Sequence, residues 1–234
     1  DFGKLYNFSS VKQRQYLELY FMRFETHLLK QVFREVLDKR DVVTDFSVVK
    51  PYFDKFSDIN IDLLNAATSI DECIAALNNT KYYRTLIRVR SLNNPSLFDY
   101  ELSLDLLYFE TMWNSRKKFL KGTDYKVITE AYGYKIDLLN IQWIYRCKRF
   151  YNISSADIYS MLIPVYYKLK HSQVKALIET DNLTSMYEVF HNTFYYNKMF
   201  NFDSDEISFE KLYKQLLDKI HSVSFKNNPY SLAC

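Results

Sequence analysis

The sequence predicts an all-α fold, and three observations support that prediction. Only 3 of the 234 residues are glycine and 4 are proline, together about 3%, where an average protein has about 12%. Apolar residues recur at steps of three and four, which is the spacing of one helical face. No window shows the sustained two-residue alternation of a half-buried strand. Since 48% of the residues are hydrophobic, the chain has enough apolar material for a packed core.

The first predicted helix is long and covers about residues 10–38. Ser10 and Gln13 form a capping box at its start, in which each side chain binds a backbone N–H that the helix leaves unpaired. At 1.5 Å per residue this helix would be about 43 Å long. Ser69 begins a second capping box. Shorter helical segments are predicted at residues 45–56, 59–65, 70–77 and 81–90.

Two further long helices are predicted on either side of Gly122. Asn94 is expected to be the N-cap of the first, with Pro95 at its first helical position, and Gly122 is expected to end it. Asp124 is expected to cap the second, which would run through Arg149. Later helical segments are predicted at residues 156–162, 172–179, 183–190 and 209–223.

The sequence contains an internal repeat. Residues 79–83 (Asn-Thr-Lys-Tyr-Tyr) recur 113 positions later as residues 192–196 (Asn-Thr-Phe-Tyr-Tyr). A long helix that carries an acid lies upstream in both copies, from Glu25 to Arg34 in the first and, 112 positions later, from Asp137 to Arg146 in the second. Copies of this length are large enough for a small core, unlike the roughly 34-residue units of a solenoid.

This repeat predicts tandem helical bundles of about 110 residues each. The first bundle is expected at residues 1–95 and the second at residues 96–203. Residues 204–234 would begin a third bundle, because they resemble the start of the second. The chain begins without an initiator methionine and stops within this third copy, so we expect it to be truncated at both ends.

The composition argues against several kinds of functional site. Gly3, Gly122 and Gly133 are too far apart to form a glycine-rich phosphate loop. The three cysteines and four histidines show no metal or redox spacing, and we interpret the cysteines as reduced cytosolic thiols. No apolar run approaches the roughly 18 residues that span a bilayer. We therefore predict no catalytic residues, no metal and no cofactor.

Several short motifs resemble one family. Residues 134–141 (Tyr-Lys-Ile-Asp-Leu-Leu-Asn-Ile) are followed by residues 146–149 (Arg-Cys-Lys-Arg), then by a Leu-Ile-Pro turn at 162–164 and the Asn-Thr-Phe-Tyr-Tyr motif at 192–196. In this order they resemble the C-type subunit of the V/A-type ATP synthases, which is known as the d-type subunit in eukaryotic V-ATPases. The sequence departs from the family pattern after the proline, where residues 165–168 replace a glycine-rich stretch.

This resemblance implies a fold of three similar bundles in a funnel-like, pseudo-symmetric arrangement. It implies a non-catalytic central-stalk subunit that links the rotor shaft to the membrane c-type ring during ATP-driven or ATP-forming ion transport. The expected partners are the shaft subunits and the ring, and no nucleic acid. The expected location is the cytoplasmic face of the membrane, with a soluble chain that contacts the membrane only through the ring.

The candidate site residues are the family-motif positions, to which we assign a structural role. Asp137 and Arg146 lie too far apart to meet on one straight helix, so a salt bridge between them would need a third partner from another helix. Structural pairing is the favoured interpretation, followed by a solvated face and then by direct contact with a partner protein. Asn140 is expected to be a satisfied buried amide. The full set is Glu25, Arg34, Thr80, Tyr83, Asp137, Asn140, Arg146, Pro164, Thr193 and Tyr196.

Other interpretations stay open at this point. The chain could be a generic helical-repeat adaptor unrelated to ATPases, or a helical enzyme that uses acidic groups such as Asp203 and Asp205. The aromatic and basic residues of 82–90 could bind single-stranded nucleic acid. A solvated face over a tyrosine-rich interface is the favoured interpretation of that segment.

Overall fold

A computed structural model describes residues 2–38, 45–151 and 153–199, together with the helical residues Gln215, Asp218, Ser222 and Lys226. The described residues are helical or irregular and contain no strand, which confirms the all-α prediction. The predictions for residues 204–234, including a helix at 209–223 and a third bundle, fall almost entirely outside the described part of the chain. The tandem-repeat arrangement and its boundaries stay predictions.

The chain divides into two compact units, Asp1–Met112 and Trp113–Cys234. The helices of the first half are α1 (Phe2–Phe8), α2 (Val11–Tyr20), α3 (Met22–Leu37), α4 (Lys50–Phe56), α5 (Ile61–Ala66), α6 (Ile70–Ala76) and α7 (Tyr83–Arg90). The helix α8 (Leu97–Phe119) contains the division. The second half continues with α9 (Gly122–Arg146), a π-helical turn (Cys147–Tyr151), α10 (Ser155–Met161), α11 (His171–Glu179), α12 (Leu183–His191) and α13 (Phe194–Met199).

The predicted helix over residues 10–38 is interrupted. Ser10 and Gln13 form the expected capping box, but the helix divides at Phe21, whose ψ of −22° is typical of a 3₁₀ turn. The buried Phe21 ring packs against Phe2, Phe53 and Phe56, which belong to α1 and α4. These partners are distant in sequence, so the periodicity within residues 10–38 could not indicate the break.

Two predicted helix starts are wrong. Asn94 has a φ of +59°, whereas an N-cap residue has extended backbone. Ser96 takes this role instead, because its hydroxyl accepts from the Asp99 backbone N–H while the Asp99 carboxylate accepts from the Ser96 N–H. Asp124 lies in the first turn of α9 and does not cap it, since the N-cap position is Lys121. Its carboxylate still suits the positive end of the helix dipole.

The core of the first unit forms where α3 packs against α6. Leu29 and Phe33 of α3 are fully buried, as are Cys73 of α6 and Leu77 just after it. Ion pairs at the surface join α3 to the first half of α8, with 2.5 Å between Lys30 Nζ and Asp105 Oδ2. Burial raises the pKa of the Cys73 thiol to about 11, so the thiol stays protonated and poorly reactive.

The core of the second unit lies between α9 and the succession of short helices that follows it. Ile144 of α9, Leu177 of α11, Phe190 of α12 and Tyr195 of α13 are fully buried members of one apolar cluster. Because α9 carries buried residues from Val127 to Tyr145, it is the element against which the rest of the unit is assembled.

Gly133 allows a close approach between α9 and segment 163–169. A Cβ added to Gly133 would lie 2.4 Å from Cγ of Tyr167, well inside van der Waals contact. The Tyr167 ring also packs edge-on against Tyr134, with 5.1 Å between ring centroids, and against Trp113. Residue 133 therefore has to be glycine for segment 163–169 to lie directly on α9.

We expect Gly133→Ala to lower the free energy of unfolding by about 2–3 kcal/mol, because the methyl group would displace the Tyr167 ring. Gly3→Ala is the matched control, since an added Cβ there meets no described atom within 4 Å and alanine favours a helix over glycine. Urea denaturation followed by circular dichroism measures both.

A double variant tests the cause. If the clash with the ring is responsible, Gly133→Ala combined with Tyr167→Ala should be less destabilised than the sum of the two single changes. An additive result, or a Gly133→Ala variant as stable as Gly3→Ala, would contradict this account.

Candidate functional site

One face of α9 holds segment 163–169, an irregular stretch that lies between α10 and α11. Gly133, Asp137 and Asn140 are spaced by four and three residues and so share this face. The Asn140 side chain binds both polar groups of Ile163: its Nδ2 donates to the carbonyl at 2.9 Å and its Oδ1 accepts from the N–H at 3.0 Å. Asn140 is therefore a buried amide whose oxygen and nitrogen both form hydrogen bonds, as predicted.

Asp137 is fully buried and accepts four hydrogen bonds. Oδ1 accepts from the Tyr167 N–H at 3.0 Å, and Oδ2 accepts from the N–H groups of Lys168 and Leu169 at 2.6 and 2.9 Å. The fourth donor is the Tyr195 hydroxyl at 2.8 Å from Oδ2. Three consecutive backbone N–H groups therefore converge on one carboxylate, which compensates for its removal from water.

Burial and hydrogen bonding act in opposite directions on Asp137. Burial raises the pKa of the Asp137 carboxyl, while the three backbone N–H groups and the Tyr195 hydroxyl lower it, and the net shift is upward. Burial also raises the pKa of Tyr195, and the neighbouring Asp137 carboxylate raises it further. The tyrosine therefore keeps its proton and remains a donor.

The first unit has a buried carboxylate of its own in Glu25, on α3. The Tyr82 hydroxyl donates to Oε2 at 2.6 Å, and the Ser57 hydroxyl donates to Oε1. Lys81 Nζ lies 2.8 Å from Oε2 and forms an ion pair with it. Only about 1% of the Glu25 side chain is exposed, against 35% for Lys81. The lysine is therefore the member of the ion pair that contacts solvent.

The two carboxylates use equivalent tyrosines. Tyr82 and Tyr195 are 113 positions apart, and each donates its hydroxyl to the acid of its own unit. The threonine two residues before each tyrosine also makes the same local bond, Thr80 to the Leu77 carbonyl and Thr193 to the Phe190 carbonyl. The remaining donors differ, being side chains in the first unit and backbone N–H groups in the second.

Some of the predicted site residues form the buried contacts described above, and others lie at the surface away from them. The structure brings Asp137 and Asn140 together on segment 163–169, and it anchors Glu25 in the first unit. Arg34 instead pairs with Glu101 at 2.5 Å, and Arg146 is exposed, away from the buried Asp137. The proline of the turn, Pro164, is also exposed.

Tyr83 and Tyr196, the two tyrosines among the candidate residues, are not the ones that bind the acids. Tyr83 is only partly buried, and Tyr196 stacks on His191 with 3.9 Å between ring centroids. The acid is bound by the preceding tyrosine in both units. Helical spacing could have identified Tyr82 as the buried tyrosine. Leu86 and Val89 are the buried positions of α7, and Tyr82 lies four residues before Leu86, on the same face.

Neither carboxylate is arranged for catalysis or metal binding. Each is almost inaccessible to solvent, and its oxygens already accept bonds from the protein. Among the described residues no group of three or more histidine, cysteine, aspartate or glutamate side chains could hold a metal ion. Within the same residues no helix has the length and apolarity needed to cross a membrane. Each carboxylate instead holds residues that are distant in sequence against a helix.

We expect Tyr195→Phe to lower the free energy of unfolding by about 1.5–3 kcal/mol, because it removes a donor from a buried carboxylate. Tyr196→Phe is the matched control and should change it by less than about 0.5 kcal/mol. The pair Tyr82→Phe and Tyr83→Phe should behave in the same way in the first unit. Equal effects within either pair in urea denaturation would contradict the assignment.

Asparagine would replace the Asp137 carboxylate with an uncharged amide of nearly the same shape. Asp137→Asn should destabilise the chain by about 3 kcal/mol at pH 7, because an amide cannot accept from all four donors. The exposed Glu188 offers the matched control Glu188→Gln, which should be nearly neutral.

The direction of the pH effect follows from the raised pKa. Between the ordinary pKa of 3.8 and the higher folded value, the folded state binds the Asp137 proton more strongly, so the contribution of Asp137 to stability falls as the pH rises. Asparagine does not titrate, and the stability difference between wild type and Asp137→Asn should therefore grow from pH 7 to pH 4. A difference that shrinks would show that hydrogen bonding outweighs burial.

Comparison with known proteins agrees with the sequence motifs. A family model described as ATP synthase (C/AC39) subunit matches residues 1–234, the whole chain. A search of curated proteins found no match. The family match confirms the resemblance to the C-type subunit of the V/A-type ATP synthases and supports a role as a rotary ATPase subunit that associates with other subunits of the complex. The chain belongs to the ATP synthase (C/AC39) subunit family.

Proposed function

We propose that this chain is the non-catalytic central-stalk coupling subunit of a V/A-type rotary ATPase. In this role it links the rotor shaft to the membrane c-type ring during ATP-driven or ATP-forming ion transport. The observation that carries the proposal is the family match over all of residues 1–234. The same match argues against a generic adaptor unrelated to ATPases.

The fold suits the transmission of torque. The helices α8 and α9 contain 23 and 25 residues, which corresponds to about 35 and 38 Å at 1.5 Å per residue. Segment 163–169 is bound to α9 by Asp137 and Asn140 along its length. A coupler in which irregular segments are tied to long helices loses less rotation to internal bending.

The partners in this proposal are the rotor shaft subunits and the c-type ring. The chain would lie at the cytoplasmic face of the membrane as a peripheral component and contact the bilayer only through the ring. Its bundles, at residues 1–95, 96–203 and the beginning of a third at 204–234, would form the funnel that the family resemblance implies. Both buried carboxylates would then be structural, since neither is accessible to a substrate.

Removal and restoration of the chain test this role. ATPase complexes purified from membranes that lack the protein should hydrolyse ATP without ATP-driven ion transport into vesicles. Adding back the purified protein should restore transport. Undiminished transport in its absence would contradict the proposal.

A variant of the α9 contact tests the mechanical part of the proposal. Asn140→Ala removes both bonds to Ile163 and should lower the number of ions transported per ATP hydrolysed. Complexes restored with Glu188→Gln, an exposed change on α12, should match wild type. The measurement is the ratio of ion flux to phosphate release in the same vesicles.

A further inference from the structure

The outer face of α7 carries two arginines that the described structure leaves without an ionic partner. Arg84, Ile87 and Arg88 are exposed and follow one another at steps of three and one, so they lie on one side of the helix. The opposite side buries Leu86 and Val89 in the first unit. We define the Arg84–Ile87–Arg88 set as the α7 arginine face.

A third arginine on α7, Arg90, differs from these two because it forms an ion pair within the first unit. Arg90 Nε and Nη2 lie 2.7 and 3.0 Å from the two oxygens of Asp71, a two-point contact that ties α7 to α6. Within the described residues no acidic side chain lies within ion-pair distance of Arg84 or Arg88. Arg84 and Arg88 are therefore exposed cations with no acidic partner among the residues that the structure describes.

Helix stability accounts for Arg88, which lies in the last turn of α7 where the negative end of the dipole favours a cation, but it does not account for Arg84. Arg84 is in the first turn of α7, where the positive end of the helix dipole disfavours a cation and where no acidic residue is present. Arg84 and Arg88 are also like charges four residues apart, which costs about 0.2–0.5 kcal/mol in an isolated helix.

Comparison of the two copies of the internal repeat shows that the residues of the α7 arginine face do not recur in the second copy. Thr80 and Tyr82 have identical counterparts 113 positions later, at Thr193 and Tyr195, and all four hold the buried contacts described above. The counterparts of Arg84, Ile87 and Arg88 are Asn197, Phe200 and Asn201. Only the first copy carries the two cations, so they are not part of what the repeated unit needs in order to fold.

We infer that the α7 arginine face docks an acidic amphipathic helix of another subunit of the ATPase complex. Guanidinium groups bind carboxylates in a two-point geometry and are enriched at the centres of protein interfaces. Arg84 and Arg88 are one helical turn apart, so they match two carboxylates one turn apart on the partner. Ile87 is 43% exposed between them and offers an aliphatic contact to an apolar partner residue.

The chemistry of the face favours a protein over nucleic acid. Single-stranded nucleic acid is bound by aromatic side chains that stack on bases, whereas the residue between the two arginines is aliphatic. Tyr83 is partly buried, and the net charge of the whole chain is only +3. The inference rests on membership of the ATPase subunit family and does not require the central-stalk position.

A binding measurement tests the inference. ATPase complexes purified without this chain are immobilised, and the purified chain is added at increasing concentration. Arg84→Glu/Arg88→Glu should raise the dissociation constant at least tenfold. Lys4→Glu/Lys12→Glu, which reverses two exposed cations of the same unit, should change it less than twofold. Circular dichroism confirms that both variants fold.

A photocrosslinking residue in place of Ile87 identifies the occupant. The expected product is a crosslink to an acid-rich helical segment of another ATPase subunit. Equal binding by wild type and Arg84→Glu/Arg88→Glu would overturn the inference and leave the proposed function intact. A crosslink only to nucleic acid, lipid or this same chain would also overturn it. Failure of the wild-type chain to bind the complex would overturn both.

Discussion

The burial of the Asp137 carboxylate constrains most of the second unit. A charge this far from solvent is tolerated only when donors surround it, and three of the four donors are consecutive backbone N–H groups, from Tyr167 to Leu169. Their convergence requires a tight irregular segment placed directly on α9, which in turn requires Gly133 beneath the Tyr167 ring. The fourth donor, Tyr195, brings the start of α13 to the same point.

The first unit meets the same constraint with different groups. Glu25 is as deeply buried as Asp137, and a tyrosine hydroxyl at the equivalent position of the repeat binds it. In place of backbone N–H groups it has Ser57 and the ion pair with Lys81. The Lys81 partner of Glu25 is partly exposed, whereas the donors to Asp137 are three backbone N–H groups and the hydroxyl of the buried Tyr195. The tyrosine–acid pair is thus common to both units, and the surrounding donors are particular to each.

These networks bear on function through mechanical stiffness. Hydrogen bonds to a buried charge are stronger than those between neutral groups, and in both units they join a long helix to segments distant in sequence. Ser57 and Tyr82 are 32 and 57 residues from Glu25, and Tyr195 is 58 residues from Asp137. In the proposed role, in which the subunit passes rotation from a shaft to a ring, this kind of cross-connection would limit the bending and sliding of helices against one another.

The sequence by itself determined the helical class, most helix positions, the 113-residue recurrence and the family. These properties depend on residues that are close together in sequence: the spacing of apolar residues, caps such as Ser10 and Ser69, and short motifs. Only the tertiary structure decided that Phe21 interrupts the first long helix, that Ser96 and not Asn94 caps α8, and that Tyr82 and Tyr195 bind the acids. In each case the deciding partner is a side chain or backbone conformation that periodicity does not encode. The placement of Asp137 against segment 163–169 depends on which distant groups lie nearby. So does the lack, among the described residues, of an acidic partner for Arg84, and packing alone sets those distances.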